Sequence, residues 1–313
     1  MSKKSQQRSV PYAKVIVNPA AGANSTRRKW PQLHSLLKHI GLSFDHDYTE
    51  GAGHAIELAR EAAGKGYSYI VAVGGDGTAN EVANGILHSG GAGSVSMGVV
   101  STGTGSDFVR SVGIPLRYQD ACSCLLSPGR YLIDVGIVEY RNNGQPEKRY
   151  FINTAGIGFD AAAVEMTERL PKNLGGTIPY LTGLVCTLIG YRNKNVELGI
   201  GDRTEKARVL SVVVSNGNYI GGGMRVAPDA SLNDGLLDVC VIGDVGKFDL
   251  LKSLPMVYKG THGSHPKVTM NKAKKVSVDS AERVLVHADG EVLGTGPASF
   301  SLIPASLNIV VRG

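Results

Sequence analysis

Four short segments rich in glycine and small polar residues could hold an anion: Asn18-Pro19-Ala20-Ala21-Gly22, Thr49-Glu50-Gly51-Ala52-Gly53, Gly74-Gly75-Asp76-Gly77-Thr78 and Ser101-Thr102-Gly103-Thr104-Gly105. Glycine lets a backbone approach a bulky anion closely. A helix starting just after the loop adds unpaired N–H groups and the positive end of its dipole. Phosphate suits such a place. In the third segment Thr78-Ala79-Asn80-Glu81 also reads as a capping box, which accounts for Thr78 and Glu81 without any ligand. It leaves Asp76, set among glycines, unexplained. A carboxylate in an anion-binding loop repels phosphate unless it holds a metal or takes a proton, so Asp76 points to phosphoryl or proton chemistry. After the fourth segment, Ser106 or Asp107 would cap a helix beginning near Phe108.

The second half carries two acidic clusters, Pro228 to Asp238 (with Asp229, Asp234 and Asp238) and His287-Ala288-Asp289-Gly290-Glu291. Asp234-Gly235 and Asp289-Gly290 each suit a type I′ hairpin turn, and they gain chemical meaning only if a phosphate-binding crevice faces them. Rival motifs are absent or misplaced. No G-x-x-x-x-G-K-[ST] occurs, and Ser106, Ser215 and Ser231 lack the G-x-S-x-G elbow. Gly156-Ile157-Gly158-Phe159-Asp160-Ala161 imitates the dinucleotide fingerprint, but no acid lies about twenty residues further on to hold a ribose. His262-x-x-His265 has no neighbouring acids and reads as a surface loop rather than a metal site.

The elements that must position these residues change character near Arg130. Before it, β-rich runs at Lys14 to Val17, Ser43 to Tyr48, Tyr69 to Val73 and Ser96 to Val100 alternate with helical segments. Among these, Ala79, Val82, Ala83, Ile86 and Leu87 share one helix face, as do Ile56, Ala59 and Ala63. This alternation predicts a parallel sheet with helices on both faces, whose ligand crevice lies beyond the carboxyl ends of the strands, where all four glycine loops fall. After Arg130 the runs are mostly β: Tyr131 to Glu139, Tyr150 to Thr154, Val196 to Ile200, Val209 to Ser215, Leu237 to Ile242 and several nearer the C-terminus. Two helices interrupt them, at Thr177 to Gly190 and Phe248 to Lys259, and Arg141 to Lys148 reads as a polar hairpin turn. The expected division is 10–128 for a nucleotide-binding α/β domain and 129–313 for a β-rich domain completing the cleft, with the extreme C-terminus packing back near the first.

At 313 residues, 42% apolar and 19% charged, the chain suits two globular domains and neither disorder nor a coiled coil. The longest apolar run, Ile178 to Gly190, is too short to span a bilayer, and Met1 to Val10 is polar and basic, so the expectation is a cytoplasmic protein. Cys122, Cys124, Cys186 and Cys240 match neither a disulfide framework nor a zinc pattern and read as reduced thiols. The net charge of +6 favours anionic partners, but the basic residues are scattered, which argues against nucleic acid; Lys3, Lys4 and Arg8 read as a solvated tail.

Gly74-Gly75-Asp76-Gly77-Thr78 with Asn80-Glu81, then Gly103-Thr104-Gly105-Ser106-Asp107-Phe108-Val109-Arg110, resemble the catalytic fold shared by diacylglycerol kinases, sphingosine kinases and bacterial lipid kinases. The second stretch looks like that family's P-x-G-T-x-N-D-F-A-R, with Ser101 and Ser106 in place of the usual Pro and Asn. Further matches are Phe151, Asn153, Gly156, Gly158, Asp160, Ala161, Asn216, Gly221-Gly222-Gly223, Pro228, Leu237-Asp238 and Asp289-Gly290-Glu291. The resemblance implies an α/β domain with a parallel sheet, NAD kinase/diacylglycerol kinase-like, followed by a mostly β domain. It implies an ATP site at Asn18, Gly22, Thr49, Gly74, Gly75, Asp76, Gly77, Thr78, Asn80, Glu81, Thr104 and Asp107. It implies a structural Mg²⁺ at Ser231, Asp234 and the carbonyl of Leu236, and Glu291 as proton acceptor with Asp76 and Asp289 beside it. The expected reaction is transfer of the γ-phosphoryl group of ATP to a lipid hydroxyl, diacylglycerol or a related glycerolipid ahead of a sphingoid base. Because the GGDGT loop also occurs in NAD kinases, a NAD kinase is the alternative, and a catalytically silent nucleotide-binding regulator a third. A lipid acceptor implies peripheral, transient contact with a membrane surface, with Ile178 to Gly190 as either an inserting element or a core helix. A homodimer stays open as an assembly.

Overall fold

The computed structural model describes residues 11–126, 128–169 and 178–313, and the side chains of these except at 128, 168 and 178–181. Lys3, Lys4, Arg8, Thr177 and the side chain of Ile178, invoked above, lie outside the described residues. Strands β1 (Ala13–Val17), β2 (Phe44–Tyr48), β3 (Tyr69–Gly74) and β4 (Ser96–Ser101) are parallel and lie side by side in the order β2-β1-β3-β4. Helices α1 (Ala21–His39), α2 (His54–Gly64) and α3 (Asp76–His88) connect them, followed by the short α4 (Asp107–Ser111) and α5 (Tyr118–Cys124). The central strands are mostly apolar because both faces are covered, with Lys14 of β1 turned to Asp47 of β2 (2.7 Å). Ile70 and Ala72 pack with Ala59 and Val82 of α2 and α3, whereas Val71 and Val73 pack with Trp30 and Leu33 of α1. On α2 the buried stripe is Ala55, Ala59 and Ala62, with Ile56 and Ala63 only partly covered, so the helix is rolled one position from the face its spacing suggested.

The rest is mostly antiparallel: β5 (Pro128–Asn142), β6 (Gln145–Phe151), β7 (Thr154–Gly158), β8 (Lys194–Ile200), β9 (Arg203–Val209), β10 (Ser211–Ser215), β11 (Leu237–Ile242), β12 (Val268–Ala273), β13 (Lys275–Asp279), β14 (Leu285–Ala288) and β15 (Glu291–Arg312). Helices α6 (Phe159–Arg169), α7 (Ile178–Gly190) and α8 (Lys247–Lys259) pack outside it. The long β15 joins the two halves, pairing with β14, β13 and β5 before Asn308 and Ile309 run parallel to Ser96 and Met97 of β4.

Several expectations change. The hairpin turn is only Asn143-Gly144, both in left-handed backbone, and its arms extend β5 and β6. The run Tyr150 to Thr154 is broken between β6 and β7, for a reason given below. Val209 to Ser215 breaks at Leu210, and α6 and β12 had no clear signal in the sequence. His262 is buried and bonds to the carbonyl of Val226 (3.1 Å), so it is a core histidine, not a loop one. In α7, Leu184 and Leu188 are buried against Phe159, Ala163 and Leu250, while Val185 and Ile189 are exposed. No helix among the described residues is long and apolar enough to cross a membrane.

Candidate active site

The four glycine loops do converge at the carboxyl ends of β1 to β4, and side-chain hydrogen bonds hold them together. Asn18 of the first loop donates to Thr78 Oγ1 of the third (3.0 Å). Glu81 accepts from Gly53 N–H (2.9 Å) and Ala55 N–H (3.1 Å), joining α3 to the second loop. Asp76 accepts from Phe108 N–H (3.0 Å), joining the third loop to the fourth. The expected capping box is therefore not formed: α3 begins at Asp76, and Thr78 and Glu81 cap and brace neighbouring segments instead. The third and fourth loops touch so closely that a Cβ on Gly103 would lie 2.6 Å from the Cα of Gly75. Glycine is required there by contact between backbones. Gly22, at a left-handed φ of 60° at the entry of α1, is held to glycine by space as well, since a Cβ there would lie 2.8 Å from the carbonyl oxygen of Thr102.

These loops form one wall of a cleft of about 630 Å³. Asn18, Gly22, Thr49, Gly75, Asp76, Gly77, Thr78, Glu81, Thr104, Asp107 and Asp289 all line it. Gly74 and Asn80, from the same expected nucleotide set, do not; a Cβ on Gly74 would collide with Thr78, and Asn80 is buried behind the wall. The opposite wall comes from the second half: Ile152, Val164, Thr167, Ile220 and Gly290. Val164 and Thr167 escaped the sequence reading because α6 did. Gly222 and Asn153 were visible as family matches, yet their roles depend on contacts across the cleft.

Asp289 sits at the junction of the halves. Its carboxylate accepts from the amides of Ile152 (2.8 Å), Asn153 (3.0 Å) and Thr154 (2.8 Å) and from Asn80 Nδ2 (2.7 Å). Those amides leave the strand ladder to reach it, which explains the break between β6 and β7. Burial pushes the Asp289 carboxyl up, and the donors pull it back. With every donor aimed at it, this carboxylate fixes the cleft and has little capacity left to accept a substrate proton. Glu291, two residues on, does not line the cleft; it is half-exposed and paired with Arg149 (2.8 Å). Nothing in the sequence around Arg149 marks it, since its partner lies 142 positions further along the chain.

Asp76 and Asp107 carry the electrostatics of the cleft. Burial raises the Asp76 carboxyl, opposed by the backbone amides of α4. Asp107 is pushed up to about 6, first by burial and then by the negative charge of Asp76. Its Oδ2 accepts from Gly222 N–H (2.8 Å), while its buried Oδ1 has no hydrogen-bond partner among the described residues and faces the Arg110 guanidinium (3.7 Å). Asp76 and Asp107 are neighbouring carboxylates that both line the cleft, a donor type that suits a divalent cation, with the Arg110 guanidinium as the chain's own positive charge beside them. The expected structural site fits less well. Asp234 Oδ1 accepts from Leu236 N–H (3.1 Å), Asp234 Oδ2 from Lys272 (2.8 Å), and Ser231 hydrogen bonds to Asn233 (3.1 Å). The Lys272 ammonium also approaches Asp238 (3.1 Å), so a cation supplied by the chain already stands among these acids. Among the described residues no cluster of three or more His, Cys, Asp or Glu is gathered to hold a metal.

Residues 12–138 match the diacylglycerol kinase catalytic domain, and residues 153–311 match the YegS C-terminal NAD kinase beta sandwich-like domain. A diacylglycerol kinase from Bacillus subtilis (strain 168) is 30% identical over 301 residues, covering 96% of this chain and 96% of that protein. One from Staphylococcus carnosus (strain TM300) is 28% identical over 289 residues, covering 92% and 91%. The crystal structure of a diacylglycerol kinase from Bacillus anthracis str. Sterne superposes with a TM-score of 0.71 at 19% identity, over 97% of this chain and 98% of that one, a likeness of fold.

Proposed function

The chain belongs to the diacylglycerol kinase family and is a lipid kinase, and from that premise we propose that it transfers the γ-phosphoryl group of ATP to the hydroxyl of diacylglycerol or a closely related glycerolipid. The observation that carries the reading is the two-sided cleft. On one side the motif side chains bind one another and leave the glycine backbones of two loops, Gly75, Gly77, Gly103 and Gly105, at the surface where phosphates would lie. On the other, Ile152, Val164 and Ile220 offer an apolar wall suited to the body of a lipid.

Phosphoryl transfer depends mostly on positioning and on charge held in a dry site. Asp76 and Asp107 are the residues that would hold Mg²⁺, which when bound supplies positive charge against the phosphate oxygens. The side chains of Asn18, Thr78 and Glu81 keep the loops in register, so the donor needs little rearrangement of the backbone. For the acceptor's proton, Glu291 is favoured over Asp289: it follows the cleft-lining Gly290 on the turn that Asp289 anchors, and among the described residues its carboxylate is engaged only by Arg149. Incubation of the protein with Mg²⁺ and γ-labelled ATP beside dioctanoylglycerol, sphingosine and NAD tests the reading. Label in the glycerolipid is the expected result. Label in NAD with none in either lipid would overturn it in favour of a NAD kinase.

A further inference from the structure

The outer face of α8 takes no part in the cleft, yet its composition is unusual for a solvated helix. Phe248, Leu251, Lys252, Pro255, Tyr258 and Lys259 are exposed and recur three and four residues apart, so they form one stripe along the helix. Phe248 is 83% exposed, whereas Leu250 is buried among Phe159, Leu184 and Leu188. The helix thus has a core face and, turned away from it, a second apolar face that no described residue covers. The end of α7 extends that face. Lys247 donates to the carbonyl of Ile189, which places Ile189 (74% exposed) and, one turn earlier, Val185 (44%) beside the start of the stripe.

Charge and position narrow what can cover it. Lys247, Lys252 and Lys259 are cationic, and the helix's one acid, Asp249, is drawn to His265 (3.2 Å). A second copy related by a two-fold axis would set these lysines against each other, while an anionic surface would attract all of them. The far end of α8 also reaches the cleft mouth. Arg225 N–H donates to the carbonyl of Val257 (3.0 Å), and the neighbouring Gly222 is bound to Asp107.

We propose that the exposed face of α8, extended by Val185 and Ile189 of α7, docks this enzyme on an anionic lipid bilayer and sets the cleft mouth at its surface. The proposal takes its purpose from the lipid-kinase reading, while its residues are independent of the catalytic ones. An amphipathic helix lying in the interface sinks its apolar side chains among the acyl chains and lets lysines reach up to the headgroups. Leu184, buried in the core, takes no part in this, whereas Phe248 and Leu251 are free to insert.

The test compares the wild-type chain with Phe248→Glu/Leu251→Glu and with Lys252→Gln/Lys259→Gln. Sedimentation uses vesicles of phosphatidylcholine alone and of equal parts phosphatidylcholine and phosphatidylglycerol; turnover is measured on long-chain diacylglycerol in the mixed vesicles and on dispersed dihexanoylglycerol. Both double variants should keep their circular dichroism and their turnover of the dispersed lipid. The lysine variant should lose about fivefold in vesicle affinity for each charge removed, and its remaining binding should fall less steeply with added salt than that of the wild type. The Phe248/Leu251 variant should lose at least tenfold in affinity and in vesicle turnover. Vesicle binding and vesicle turnover at wild-type levels in both variants would overturn the docking surface while leaving the kinase reading intact. Loss of a dimer on light scattering with unchanged vesicle binding would overturn it in favour of a second copy. Docking without phosphorylation of either lipid would refute the kinase reading and keep the surface.

Discussion

Asp107 sits where it destabilises the protein, and Asp107→Asn should make the fold more stable and the enzyme worse. Its carboxyl is raised from 3.8 to about 6 by burial and by Asp76. At roughly 1.4 kcal/mol for each pH unit, ionised Asp107 costs the native state about 3 kcal/mol. The sign follows from linkage: the folded value lies above the unfolded one, so the cost is fully present above about pH 6 and disappears as the pH falls below about 4. The amide that replaces the carboxylate would keep an oxygen for Gly222 N–H and carry no charge beside Asp76. Urea denaturation at about pH 8 and about pH 4 measures both stabilities. The variant should gain up to about 3 kcal/mol at the higher pH, and its advantage should shrink to near zero at the lower. Turnover should fall about a hundredfold or more, and stabilisation by Mg²⁺ with ATP should be weaker than in the wild type. An advantage equal at both pH values would show that Asp107 is not held as an unfavourable charge. A stabilised variant with full turnover would remove it from the machinery.

The glycines divide by contact: Gly103→Ala forces its new Cβ into the Gly75 backbone at 2.6 Å, whereas a Cβ on Gly75 would sit an ordinary 3.7 Å from Gly103. Gly103→Ala should therefore lose far more ATP affinity, measured by calorimetry, than Gly75→Ala, because only the first forces two backbones of the phosphate-binding wall apart. Asp289→Asn places an NH₂ group among backbone donors and should lower unfolding stability by about 3 kcal/mol or more; a neutral result would mean its amide partners are not needed. Glu291→Gln should leave stability within about 0.5 kcal/mol but cut turnover about a hundredfold; unchanged turnover would move the proton acceptor elsewhere in the cleft. Because Lys272 already balances Asp234, chelation with EDTA in the absence of nucleotide should leave the melting temperature unchanged, whereas a drop of several degrees would reveal a structural Mg²⁺.

The sequence by itself determined much of the first half. A buried parallel strand must be apolar on both faces, so β3 and β4 show as nearly continuous runs and β1 as one interrupted by Lys14, and the residues that end them must include glycine where backbones crowd a ligand. That is local information, and it located the cleft-lining loops from Asn18 to Thr104 before any tertiary contact was known. It could not say what the polar residues in those loops do. Thr78 and Glu81 look like partners in one capping box, but Asn18, 60 positions away from Thr78, and Gly53, 28 away from Glu81, compete successfully for them. Asp289 looks like half of a hairpin turn, yet its donors lie more than 100 residues earlier in the chain. Likewise α7 shows only as an apolar run, and packing against α6 and α8 decided that Leu184 is core and Ile189 surface. Periodicity and turn chemistry act over a few neighbouring residues. Which donor reaches which carboxylate, and which face of a helix meets water, is decided by segments distant in sequence, and so only the tertiary structure assigned those roles.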